Sequence, residues 1–196
     1  MAFYRRRLPH IADPGKAVFV TWRLHGSLPP NRAFPESSAT SGQAFDAMDR
    51  LLETARDGPV CLAQAAIADM IAEAICYGAR VLNHYELHAF VVMPNHVHLL
   101  ITPAIPLAKL TKSLKGITAR RANEILGLTG KSFWQKESYD HMVRSRLEFA
   151  NIHGYIEHNP VRAGLVVDAE EFQWSSATWG SRADQGVRPT KNGDPC

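Results

Sequence analysis

Tyr85-Glu86-Leu87-His88-Ala89-Phe90-Val91-Val92-Met93-Pro94-Asn95-His96-Val97-His98-Leu99-Leu100-Ile101-Thr102 is the stretch on which the architecture turns. Residues 85–93 are rich in β-branched and aromatic side chains, Pro94-Asn95 is a turn, and His96 to Thr102 reads as a second strand. Upstream, Val18-Phe19-Val20-Thr21-Trp22-Arg23-Leu24 has the same strand character. Between them, His25 to Thr40 holds three prolines and reads as a loop. Phe45, Met48, Leu51, Leu52 and Ala55 recur at helical spacing, and Gly58-Pro59 ends that helix. A second helix carries Ile67, Met70, Ile71, Ala74 and Ile75 on one face, with Gly78 as its expected stop.

Downstream, Pro103 and Pro106 close the strand and open a helix over 107–126, with Leu110, Leu114, Ile117 and Ile125 as its buried stripe. Phe133-Trp134-Gln135 reads as extended. Ser145 and Glu148 stand in the S-x-x-E relation of a capping box and begin a last helix, which Asn159-Pro160 is expected to end. Residues 181–196 are polar and rich in Gly and Pro, and are expected to form a disordered tail. Strand, helices, two strands, helix and helix define an α+β fold over residues 1–180: one mostly antiparallel sheet with helices packed on a face.

Composition narrows the class. At 196 residues, 45% of them hydrophobic and 21% charged, the chain is long enough for one domain with a continuous core. Cys61, Cys76 and Cys196 are odd in number and form no CxxC pair, which argues against a disulfide scaffold or a cysteine zinc site and for a reducing, cytoplasmic setting. The best apolar run, Leu62 to Tyr77, is interrupted by Asp69 and Glu73 and is too short to span a membrane. The opening residues carry charge but no apolar h-region. A soluble cytoplasmic protein is the expectation.

The net charge of +3 is unevenly spread. Between Pro103 and Ala150, nine basic side chains face four acids, a local +5 that leaves −2 on the rest. Arg5, Arg6 and Arg7 form a second basic cluster. Such surfaces attract phosphate backbones, although a charge run is also an ordinary solvated face.

Chemistry concentrates in two places. In a strand, residues i and i+2 share a face, so His96 and His98 project side by side, ~6.6 Å apart along the backbone at about 3.3 Å per residue. Two imidazoles so placed can converge on a divalent cation, or can lie on a solvated face while Val97 and Leu99 face the core. On the last helix, Tyr155 and Asn159 are an i, i+4 pair about one turn apart. Asn159 offers a carbonyl oxygen and Tyr155 a phenol able to act as a nucleophile; a core aromatic and a helix-terminal amide are the plain alternatives. Tyr139, with His141 two residues on, is a rival nucleophile.

Six motifs occur together and in order: Arg6-Arg7-Leu8-Pro9-His10, Met93-Pro94-Asn95-His96-Val97-His98, Phe133-Trp134-Gln135, Tyr139-Asp140-His141, Tyr155-Ile156-Glu157-His158-Asn159-Pro160-Val161-Arg162-Ala163-Gly164-Leu165-Val166 and Trp174-Ser175-Ser176. From about Arg5 to Ala177 the chain resembles the bacterial REP-associated tyrosine transposases, relatives of the HUH single-strand transposases of insertion sequences. The resemblance implies a ferredoxin-like (RRM-like) sheet with helices on one face. It implies Mg2+ or Mn2+ held by His96 and His98, with Asn159 as third ligand, and it selects Tyr155 over Tyr139 as nucleophile. It further implies cleavage and rejoining of single-stranded DNA at REP-type imperfect hairpins, through a 5′-phosphotyrosine and a free 3′-OH.

On that reading, Lys109, Lys112, Lys115, Arg120 and Arg121 contact hairpin backbone, the terminal arginines reach a groove or a flanking strand, and Trp134 either stacks on an unpaired base or is structural. The nucleoid is then the working location. Monomer and homodimer both stay open. The alternative to the enzyme is a catalytically silent hairpin-binding protein of the same fold. A metallohydrolase using bound water ranks behind both, because no Asp or Glu accompanies the histidines in their motif.

Overall fold

The computed structural model describes residues 15–28, 49–52 and 58–178. Four strands, β1 (Val18–Arg23), β2 (Tyr85–Val92), β3 (His96–Pro103) and β4 (Tyr139–Met142), form one sheet in the order β2-β3-β1-β4. Every neighbouring pair is antiparallel. The β2–β3 hairpin closes over Pro94-Asn95, where Met93 N donates to His96 O at 2.9 Å. Among the described residues, three long helices accompany the sheet: α1 (Ala65–Arg80), α2 (Leu107–Leu126) and α3 (Arg146–Arg162). The protein is therefore α+β with a fully antiparallel sheet, as expected.

Alternation along the strands builds two cores. Val18, Val20 and Trp22 of β1 join Val97, Leu99 and Ile101 of β3 on one face, under Ile67, Ile71 and Ile75 of α1 and Leu110 and Leu114 of α2. Phe19 and Leu100 point the other way, with Ala89, Val91, Tyr139, Val143 and Ile156 of α3. The sheet thus carries α1 and α2 on one face and α3 on the other, rather than every helix on a single face. Because His96 and His98 share the phase of Leu100, they lie on the α3 face.

Several local expectations change. Gly78 does not stop its helix, which runs on to Arg80. A Cβ at position 78 would stand 2.6 Å from the Tyr85 hydroxyl, so the glycine makes room for that ring, whose OH donates to Ile75 O at 2.5 Å. The α2 stripe is Leu107, Leu110, Leu114, Thr118 and Ala122, while Ile117 and Ile125 are exposed. Thr118 sits in that stripe because its hydroxyl accepts from Trp134 Nε1 at 2.9 Å, which also makes the buried Trp134 a structural residue.

The last helix passes through Asn159-Pro160 and ends at Arg162. Proline removes one N–H, a loss confined here to the final turn. The stop is Gly164, at φ 69°, with Leu165 N donating back to Pro160 O. At the other end, Glu148 N donates to Ser145 Oγ, but the Glu148 carboxylate bonds Arg144 N and His141 Nε2 instead of closing a reciprocal box. Finally, Trp174 and Ser176 strap the layers together. Val92 N donates to Trp174 O, Trp174 Nε1 to Asp69 Oδ1 on α1, and Ser176 Oγ to Glu157 on α3.

Candidate metal centre and nucleophile

His96 and His98 are both fully buried, their rings 4.6 Å apart between centroids. The solvated-face alternative is thereby removed. The register places Thr21 opposite His98, and Thr21 Oγ1 meets His98 Nδ1 at 2.7 Å. His96 Nδ1 meets Asn95 Oδ1 at 2.6 Å, and Asn95 Nδ2 donates to Leu52 O at 2.9 Å. Both rings are thus held through Nδ1 and turn Nε2 toward the same point.

That point is occupied by a residue the sequence reading did not single out. Residues 49–52 form a helical turn, and the buried Asp49 carboxylate lies 3.2 Å from His98 Nε2 and 3.7 Å from His96 Nε2 through Oδ1. One ligand atom from each of Asp49, His96 and His98 falls within 4.8 Å of the others. Donors bonded at about 2.1 Å to one ion stand roughly 3.0–3.5 Å apart; the Asp49–His98 spacing falls in that range and the Asp49–His96 spacing lies slightly above it. A sequence signal did exist: Asp49 stands four residues after Phe45 and three before Leu52, so helical spacing sets a charge in an apolar stripe.

Burial raises the Asp49 pKa, but the facing His98, followed by His96 and Arg162, outweighs it and holds the carboxyl below its ordinary value. His96 is pushed down to about 3, chiefly by burial and then by His98, against the pull of Asp49. It is therefore neutral at physiological pH, the state in which imidazole ligates metals.

Helix α3 brings Tyr155 and Asn159 to this cluster on one face. The Tyr155 ring lies 5.7 Å from that of His98, and Asn159 Nδ2 lies 3.5 Å from both His98 Nε2 and Asp49 Oδ2. Arg162, the last residue of the helix, sets its guanidinium 4.8 Å from the Tyr155 ring centroid. Tyr139 occupies β4, two strands from His98, buried edge-on to Phe19. His141 is bonded to Glu148 at 2.8 Å, where it braces the start of α3.

The basic residues do not join this site. Lys109, Lys112, Arg120 and Arg121 are exposed on α2, which packs on the opposite sheet face. Lys115 differs from these four in being half-buried, and its ammonium donates to Gln135 O, Lys136 O and Ser138 Oγ, tying the approach to β4 onto α2. Arg5, Arg6, Arg7 and the expected tail lie outside the described residues. No helix among the described residues is long and apolar enough to cross a membrane.

The family of IS200-like transposases matches residues 63–159, a span holding His96, His98, Tyr155 and Asn159. Over those residues the chain matches this family. The chain also resembles a Haemophilus influenzae protein described as a REP-associated tyrosine transposase. The two are 27% identical over 107 residues, which is 48% of this chain and 61% of that relative's length. A solved structure described as a REP-associated tyrosine transposase bound to a REP hairpin shares the fold. Its TM-score is 0.57 at 20% identity, over 100% of this chain and 94% of that one.

Proposed function

We propose that this transposase-family protein cleaves and rejoins single-stranded DNA at REP-like hairpins by metal-dependent transesterification, with Tyr155 as nucleophile. The observation that carries the reading is the juxtaposition of the Tyr155 ring with a buried His96, His98 and Asp49 cluster. The donor set fits a divalent cation. His96 Nε2 is buried without a hydrogen-bond partner and faces a carboxylate oxygen at 3.7 Å. Two acceptors so placed repel each other unless a cation lies between them.

Two imidazoles and a carboxylate suit Mn2+ and accommodate Mg2+. Asn159 stands beside them, and a half-turn of its amide presents oxygen in place of nitrogen without moving the helix. When bound, the ion would supply Lewis-acid polarisation of a phosphate oxygen. The remaining work falls to the chain. Tyr155 loses its phenolic proton and its oxygen bonds to phosphorus; the bond from phosphorus to the 3′ oxygen breaks, and that oxygen leaves with a proton as a 3′-OH. The phosphotyrosine conserves the phosphodiester's energy, so another 3′-OH reverses the step and joins strands. Arg162, beside the phenol, provides a guanidinium suited to phosphate.

Asp49 also revives a second reading, since a carboxylate beside the histidines is what a metallohydrolase using bound water requires. A denaturing gel separates the readings. Protein and labelled single-stranded REP hairpin DNA in Mn2+ should yield a covalent protein–DNA band that disappears with EDTA and in Tyr155→Phe. Cleaved DNA without a covalent band, unaffected by Tyr155→Phe, would favour the hydrolase. Bound DNA with neither product would favour a silent hairpin-binding protein, and loss in Tyr139→Phe alone would transfer the role of nucleophile.

A further inference from the structure

Asn95 touches both halves of the candidate centre through the two ends of one amide. Its Nδ2 donates to Leu52 O at 2.9 Å, and its Oδ1 meets His96 Nδ1 at 2.6 Å. The residue is buried, and its own carbonyl accepts from Leu24 N at 2.8 Å, so the turn holding it is fixed to the end of β1. A backbone carbonyl can only accept, and of the two amide ends only the nitrogen donates. Leu52 O therefore dictates which way the amide faces, leaving its oxygen toward the imidazole.

An oxygen there requires N–H at His96 Nδ1, which puts the lone pair of the neutral ring on Nε2, the atom facing Asp49. The other tautomer would set two acceptors 2.6 Å apart in a buried site. The same amide acts on the third ligand. Leu52 lies three residues beyond Asp49 on one helical turn, so the bond to Leu52 O fixes where the Asp49 carboxylate stands over β3.

Resting on the metal reading given above, we infer that Asn95 is a positioning residue for the metal centre, setting the ligating nitrogen of His96 and the placement of Asp49 with a single side chain. With both ends of its amide taken up by Leu52 O and His96 Nδ1, it acts through the ligands. Partners of this kind, one shell removed from a metal, typically alter metal affinity by about 10–100-fold. A residue that merely closed the hairpin turn would change stability and leave the ligands' behaviour alone.

The test uses the full chain and Mn2+ as probe, with affinity read by electron paramagnetic resonance and folding checked by thermal melting. Asn95→Ala should weaken Mn2+ binding by about tenfold or more. Long-range 1H–15N correlations should report an Nδ1–H tautomer for His96 in the metal-free wild type and a mixture in Asn95→Ala. Asn95→Asp keeps the acceptor for His96 and loses the donor to Leu52 O. It should keep the tautomer, weaken Mn2+ binding, and add nothing to the loss caused by Asp49→Ala in the double variant.

An Nε2–H tautomer in the wild type overturns the inference, as does unchanged affinity in a folded Asn95→Ala, or full additivity of Asn95→Asp with Asp49→Ala. Should Asn95→Ala fail to fold, the wild-type tautomer and the Asn95→Asp cycle decide the matter. Wild-type protein that binds no Mn2+ overturns the metal reading and this inference together. Binding that is insensitive to Asn95 overturns only the latter.

Discussion

Asp49 Oδ1 lies 3.2 Å from His98 Nε2, both atoms buried, although the two residues belong to separate elements joined by no strand pairing. Two imidazoles would leave a bound dication's charge wholly uncompensated, whereas a carboxylate neutralises half of it and is a ligand favoured by Mn2+ and Mg2+. Asp49→Ala should therefore lower Mn2+ affinity at least about tenfold while hairpin binding in EDTA persists. Titration with Mn2+ checks this, and an unchanged affinity would remove Asp49 from the ligand set.

The surface of α2 separates cleanly by exposure. Lys109, Lys112, Arg120 and Arg121 are exposed, whereas the Lys115 ammonium is bonded to three internal acceptors. If α2 meets the hairpin backbone, replacing any of the four by Gln should reduce the salt dependence of hairpin affinity by about one unit of slope. Lys115→Gln should leave it alone. Fluorescence anisotropy across a salt series reads the slopes; a drop for Lys115 equal to the others would mean that its ammonium reaches DNA.

Lys115 also predicts a pH effect. Burial, only partly offset by Glu137, lowers its pKa to about 8 from an ordinary 10.5. Between those values the unfolded chain holds the proton and the native chain does not. Stability contributed by this group therefore rises with pH from about 8 to 10.5 and is least below that window. Urea midpoints measured across the window should climb less steeply in Lys115→Met than in the wild type. Parallel curves would contradict the shift.

At the close approach between α1 and β2, Gly78→Ala would drive a methyl to 2.6 Å from the Tyr85 hydroxyl and 3.0 Å from its ring. A cost of about 1–3 kcal/mol is expected for such overpacking. Tyr85→Phe removes the nearest atom together with the hydrogen bond to Ile75 O, at a cost of about 1 kcal/mol. The double variant should be less destabilised than the sum of the two, as urea denaturation can establish; strict additivity would mean that the two groups do not touch.

How much of this was legible beforehand follows from the range of each interaction. The β2–β3 hairpin and the full extent of α2 could be read from residue pattern, because pleat and helix period act over a few neighbours. The same holds for the pairing of His96 with His98 and of Tyr155 with Asn159. Helix ends were less legible. Gly78 and Pro160 are conventional breakers, yet one gives space to a ring in another layer and the other costs a hydrogen bond only in a final turn.

Local chemistry thus settled which side chains stand together along a single element, since spacings of two and four residues fix a face whatever the rest of the molecule does. Folding settled what meets across elements. It brought Asp49 to the histidines, engaged the Lys115 ammonium and the Trp134 indole in internal hydrogen bonds, and set α2's charges on the sheet face opposite the tyrosine. Those outcomes depend on which faces pack and in what register, and contacts between distant segments leave no period in the chain for a reader to find.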